Sequence, residues 1–168
     1  MTNKLPKVGI FVDVQNVFYT TSQTFNRNFD YNAFWAKVSD GRDVECAFAY
    51  AIDRGDEKQK QFQNILRAIG FEVKLKPFIQ RSDGSAKGDW DVGIAIDVMD
   101  WAEKVDRIVL VSGDGDFEIL ATKIIEKYQI PFDVFGVEKL TANGLKLAAS
   151  RYYPITEKLL LNPKPSSK

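Results

Sequence analysis

Apolar positions fall in two kinds of run along this chain, and the spacing inside each predicts the element it builds. KVGIFVD (7–13), VECAFAYAI (44–52) and RIVLVS (107–112) are short runs of β-formers, apolar almost throughout, the pattern of parallel strands buried on both faces. Between them the spacing lengthens to that of helices. From about 15 to 38, Val17, Phe18, Phe34 and Val38 recur at helical intervals with a break near Asn26 to Asp30, which predicts two short helices. In GDEKQKQFQNILRAIG, Phe62, Ile65, Leu66 and Ile69 share one face, acids open the segment and Gly70 closes it.

FEVKLKPFI behaves differently. Phe71, Val73 and Leu75 alternate with Glu72, Lys74 and Lys76, and alternation followed by Pro77 reads as an edge strand. QRSDGSAKGDW (80–90) reads as loop, Asp91 to about Glu103 as helix, 116–128 as helix, PFDVFG (131–136) as strand and 140–149 as helix. The order β-α-β-α-β-loop-α-β-α-β-α specifies an α/β protein, a three-layer α/β/α, Rossmann-like sandwich around a mainly parallel sheet of about five strands. Residues 1–156 are expected to form a single domain. EKLLLNPKPSSK (157–168) is expected to be a C-terminal tail, frayed toward its end.

Composition narrows the chemistry. The 168 residues, 45% apolar, suffice for one core. With 23 basic and 23 acidic side chains, attraction to a polyanion cannot come from net charge and must be local. There is no histidine, which removes His-based acid/base catalysis, Ser-His and Cys-His nucleophile pairs and nearly every zinc site. Lone Cys46, in an apolar run, reads as a buried, inert thiol. The N-terminus lacks the pattern of a signal peptide and no window approaches a membrane span, so the expected location is cytoplasmic, without a membrane partner.

Acids stand where strands end. Asp13 closes the first strand and Asn16 follows in the first turn of the next helix; Asp13 reads either as a helix cap or as a metal ligand. Ser112-Gly-Asp-Gly-Asp-Phe117 places Asp114 and Asp116 on a tight glycine turn after a buried strand, which exceeds what a cap needs. In an open parallel sheet both strand ends reach one edge. Asp91 opens a helix after Lys87-Gly-Asp-Trp. Asp97 lies six residues on, about 240° around the helix at 100° per residue, so Asp91 is favoured for the site, and Asp89 and Asp100 for the surface. Convergent carboxylates repel unless a cation or a proton intervenes. Oxygen-only ligands favour Mg²⁺ or Mn²⁺.

Charge is also uneven along the chain. Residues 83–118 hold ten acids against three bases, and residues 54–81 seven bases against three acids. An acidic edge beside a basic shoulder suits a polyanion held by its phosphates, although solvated helix and strand faces carry charge in any case.

FVDVQN, KGDWDVGIAID and VLVSGDGDFEIL, in that order and spacing, resemble the signature blocks of the NYN domain family, in its LabA-like bacterial branch. The resemblance covers about residues 7–156. It implies a PIN-like fold with an acidic pocket for Mg²⁺ or Mn²⁺, and a ribonuclease acting on RNA; the sequence itself leaves single-stranded DNA open as the alternative partner. Carried over, the catalytic and metal-holding acids are Asp13, Asp91, Asp114 and Asp116, with Asp97 matching a further recurrent acid as a metal ligand. Asn16 and Ser112 would orient substrate or water, and Lys87, Arg54 and Lys58 would contact phosphates.

Two other classes compete. A non-catalytic module binding RNA or protein through a retained acidic pocket has the same acids. A phosphorylated receiver-like switch fails, because FEVKLKPFI does not end on the aspartate it needs. Trp101, Tyr152 and Tyr153 would line either a homodimer contact or the core.

Overall fold

The computed structural model describes residues 4–77, 79–80, 86–87 and 89–163, of which 77, 79–80 and 86–87 by their backbone. Its centre is a parallel sheet of β1 (Lys7–Asp13), β2 (Asp43–Asp53), β3 (Glu72–Pro77), β6 (Arg107–Val111), β7 (Phe132–Gly136) and β8 (Arg151–Pro154), in the order β3-β2-β1-β6-β7-β8. The chain builds outward from β1 to β3, returns to the other side of β1 at β6, and builds outward again. Strand order therefore reverses between β1 and β6, and that crevice is where open α/β sheets take ligands.

Alternation within the strands explains the two helical layers. Val8, Ile10 and Val12, with Val109, Val111 and the small Ala47, Ala49 and Ala51, face α1 (Val14–Phe25), α2 (Tyr31–Ser39) and α3 (Glu57–Ile69). Phe11, Phe48, Tyr50, Ile108 and Leu110 face α4 (Asp91–Ala102), α5 (Glu118–Tyr128) and α6 (Asn143–Ala148). The alanines of β2 leave room for helices on one side while its aromatics fill the other. Gly70 ends α3 at φ +136°, where an added Cβ would come within 2.7 Å of Trp35, so both backbone and space require glycine there.

The α/β/α sandwich and the edge position of β3 match the sequence reading. The sheet has a sixth strand, β8, whose short RYYP segment carries neither a long apolar run nor clean alternation and pairs at the edge opposite β3. β4 (Ile79–Gln80) and β5 (Ala86–Lys87) form a small antiparallel pair, so the end of the expected strand FEVKLKPFI and part of the expected loop 80–90 are paired with each other. Residues 157–161, assigned to the tail, are tied down: a 3-10 turn spans Glu157–Leu159, Leu159 and Leu160 are buried, and Arg27 Nε donates to the Leu161 carbonyl at 2.8 Å. Trp101, Tyr152 and Tyr153 complete the core, Tyr153 stacking on Phe135 at 4.7 Å.

Leu159→Ala should cost about 2–5 kcal/mol in urea unfolding, the range for opening a leucine-sized cavity. Leu161→Ala, at a position 47% exposed, should change stability by less than about 0.5 kcal/mol.

Candidate metal centre

The pairing of Val12 with Val111 sets Asp13 beside Ser112 at the ends of two neighbouring strands. Ser112, buried, donates its hydroxyl to Asp13 Oδ2 at 3.2 Å and accepts the Asp114 backbone N–H at 3.2 Å. One hydroxyl thus joins the two motifs. Asn16 adds a second tie, its Oδ1 accepting the Gly113 N–H at 2.9 Å. Gly113 has no room for a side chain, since a Cβ would lie 2.6 Å from the Leu140 carbonyl oxygen.

Two of the acids are also local structural devices. Asp13 caps α1 by accepting the Asn16 N–H at 3.4 Å, so the cap and the site are one residue. Asp114 caps the 3-10 turn Gly115–Phe117, accepting the Asp116 N–H at 2.9 Å. Asp91 is the first residue of α4, and its N–H donates to Asp89 Oδ1 at 3.2 Å. Its entry is anchored by Trp90, which donates Nε1–H to the Ala51 carbonyl at 2.8 Å, lies against Tyr50 at 5.3 Å and carries Lys76 Nζ 4.5 Å above its ring.

These elements bring Asp91, Asp114 and Asp116 together, with one carboxylate oxygen from each within 4.8 Å of the others. Asp13 stands beside that trio, linked through Ser112. Burial first, then the charges of Asp114 and Asp89, push the Asp13 carboxyl up to about 6, against the pull of the Asn16 amide and the Ser112 hydroxyl. Asp91 is pushed up to about 7, first by burial, then by a hydrogen bond to Asp114 and by the charges of Asp114, Asp89 and Asp13. A carboxyl that holds its proton near neutrality beside other acids marks a place where a cation can replace that proton. The donors are all oxygen, so the trio fits a hard divalent ion.

Asp97 sits elsewhere. It lies well down α4, where Tyr50 Oη donates to it at 2.8 Å and Lys74 Nζ at 2.7 Å. The rotation that separates it from Asp91 turns it to the β2–β3 side, where it ties α4 to the sheet. Arg54 follows β2 at the same sheet edge as the acids, and Lys58 lies in the first turn of α3. The Lys87 side chain is outside the described residues. Trp90 is the supporting residue that the sequence reading does not name; its signal is the Lys-Gly-Asp-Trp-Asp block, with a large aromatic directly before an acid.

An all-parallel α/β sheet with acids gathered at its switch point defines a PIN-like protein. Within that class the chain belongs to the NYN domain family, whose model matches residues 7–157. It is 29% identical over 159 residues to Low amplitude and bright protein LabA of Synechococcus elongatus, covering 90% of this chain and 84% of that protein. It is similar in structure to a protein of unknown function from Vibrio parahaemolyticus, with TM-score 0.91 and 49% identity over 96% of this chain and 99% of that one. The family is generally nuclease-like and related to nucleic acids. Among the described residues no helix is long and apolar enough to cross a membrane.

The raised carboxyls carry a pH signature. A group whose folded pKa lies above its unfolded value binds more protons in the folded state, so stability falls as pH rises from the unfolded pKa to the folded one. For Asp13 the window runs from 3.8 to about 6, and for Asp91 from 3.8 to about 7. The metal-free protein should lose stability between pH 4 and 7, Asp13 contributing about 3 kcal/mol at most. Urea titrations across that range should show a shallower slope in Asp13→Asn, and millimolar Mn²⁺ should restore stability at pH 7 but not at pH 4.

Proposed function

We propose that this protein is a metal-dependent nuclease that hydrolyses phosphodiester bonds in RNA, with Mg²⁺ or Mn²⁺ held by Asp91, Asp114 and Asp116 and with Asp13 completing the set from β1. The observation that carries the reading is the convergence of three carboxylates from two separate elements, the start of α4 and the turn after β6, within 4.8 Å. A bound divalent ion would supply Lewis-acid stabilisation of the phosphoryl oxygens and activation of a water.

The chain's own groups do the rest. The Ser112 hydroxyl orients Asp13 through Oδ2 and steadies the backbone of Asp114. Asn16 has its Oδ1 committed to Gly113, which leaves its Nδ2–H₂ to donate to a phosphate oxygen. Arg54 and Lys58 lie near the same edge and contribute positive charge for the phosphates of the strand, and Lys87 is proposed for the same task. Asp97 serves this reading through α4, by its ion pair with Lys74.

Purified protein should cleave single-stranded RNA with Mn²⁺ or Mg²⁺ and stop on addition of EDTA. Asp114→Asn and Asp13→Asn should each lower the rate by about 10²-fold or more while circular dichroism stays that of the wild type. Full activity in both variants defeats the assignment, and metal-independent binding of RNA without cleavage would favour a non-catalytic binding module instead.

A further inference from the structure

Away from the acids, a cavity of about 300 Å³ opens on the sheet face that carries α2. Ala33 and Lys37 of α2, Phe135 of β7, Tyr153 of β8, and Lys158 and Leu159 of the 3-10 turn line it. None of Asp13, Asp91, Asp114 and Asp116 is among its lining residues.

The segments around the cavity are tied to one another. The Asp30 N–H, directly before α2, donates to the Leu159 carbonyl at 2.8 Å, and the Ile155 N–H, directly after β8, donates to the Gly136 carbonyl at 2.8 Å. The Tyr153 ring stacks on Phe135 at 4.7 Å, and Phe34 meets Phe135 at 5.1 Å. The cavity is therefore a preformed part of the fold.

Its charge is one-sided, since two lysines and no acid line it. Acids of the bordering segments are engaged elsewhere: Asp30 caps α2 by accepting the Ala33 N–H at 3.0 Å, and Glu157 pairs with Arg27 at 3.7 Å. Among the described residues neither Lys37 nor Lys158 forms an ion pair. Lys37 holds its Nζ 5.5 Å from the centre of the Tyr153 ring.

We propose that this cavity binds a small organic phosphate monoester with a flat aromatic body, of the size of one nucleoside monophosphate. Lys37 and Lys158 supply the counter-charge, and Phe135, Tyr153 and Leu159 supply the apolar surface. A phosphate monoester carries about −1.5 to −2 near neutrality, which two ammonium groups match and a single carboxylate does not. An inorganic anion would leave the aromatic and leucine wall uncovered, and a neutral ring would leave both ammonium groups without a partner. A few polar groups on a largely apolar lining is the usual make-up of a small-molecule site, and about 300 Å³ is the small end of that class. One nucleotide fits it; two do not. The proposal stands apart from the nuclease reading, because none of its residues belongs to the acid centre.

The test is calorimetric titration of the full chain in EDTA, which keeps metal from the acids, with adenosine 5′-monophosphate, adenosine, inorganic phosphate and a 5′-phosphorylated trinucleotide. The monophosphate should bind at least about tenfold more tightly than each of the other three, and its affinity should fall as salt is raised. Lys37→Ala and Lys158→Ala, both at exposed positions, should each weaken it about fivefold, and Ala33→Phe, which places a ring in the cavity, should abolish it while circular dichroism stays that of the wild type. No binding of the monophosphate at millimolar concentration, wild-type affinity in both lysine variants, or a trinucleotide that binds more tightly than the monophosphate would each overturn the proposal. Each of those results leaves metal-dependent cleavage at the acids to be decided by its own assay.

Discussion

The acidic edge depends on the parallel pairing of β1 with β6. Because the sheet reverses its order at that junction, no crossover helix lies across the strand ends, and both can carry side chains into one open crevice. The register then does the fine positioning: Val12 opposite Val111 puts Asp13 level with Ser112. A slip of one residue would turn Asp13 to the other face and break the hydroxyl bridge to Asp114. Eight apolar residues of β1 and β6 with zero exposure, Val8, Ile10, Phe11, Val12, Ile108, Val109, Leu110 and Val111, hold that register.

Electrostatics and packing pull in opposite directions here. The fold gathers Asp13, Asp91, Asp114 and Asp116, and burial raises the cost of charge on Asp13 and Asp91, whose carboxyls are pushed up to about 6 and about 7. Among the described residues, the supports recorded for these acids are hydrogen bonds and packing. Helix caps, the Ser112 hydroxyl, the Asn16–Gly113 bond and the Trp90 anchor all fix the acids without neutralising them. The nearest lysines on the β3 side serve elsewhere: Lys74 is spent on Asp97, and Lys76 donates to the Asp89 carbonyl and lies over Trp90. Two of the seven bases of the shoulder seen in the sequence, Lys74 and Lys76, thus brace α4 and its entry.

The strands and helices were legible because their apolar spacing is set by burial, which acts locally. The continuous runs of β1, β2 and β6 announced a parallel sheet, and the alternation of β3 announced its edge. β8 was not legible, since four residues ending on proline give no periodicity, and its pairing with β7 comes from tertiary contact. At the site, the acids on strand ends and on the glycine turn could be read from position alone. What the sequence did not display was how Asp91 is aimed, because Trp90 is distant in the chain from Tyr50 and Ala51 of β2 and from Lys76 of β3, and meets them only in the fold. The geometric separation of Asp91 from Asp97 was calculable from helix periodicity, but the lysine that claims Asp97 was not.

Trp90 gives this arrangement one more property. Its indole is fixed by a hydrogen bond to Ala51 and flanked by a phenol ring and an ammonium group, one residue before a carboxyl that changes charge near neutrality. Such a chromophore responds to the field around it. The protein therefore carries an intrinsic optical probe at the mouth of its acidic crevice, and occupancy there can be followed by fluorescence without any label.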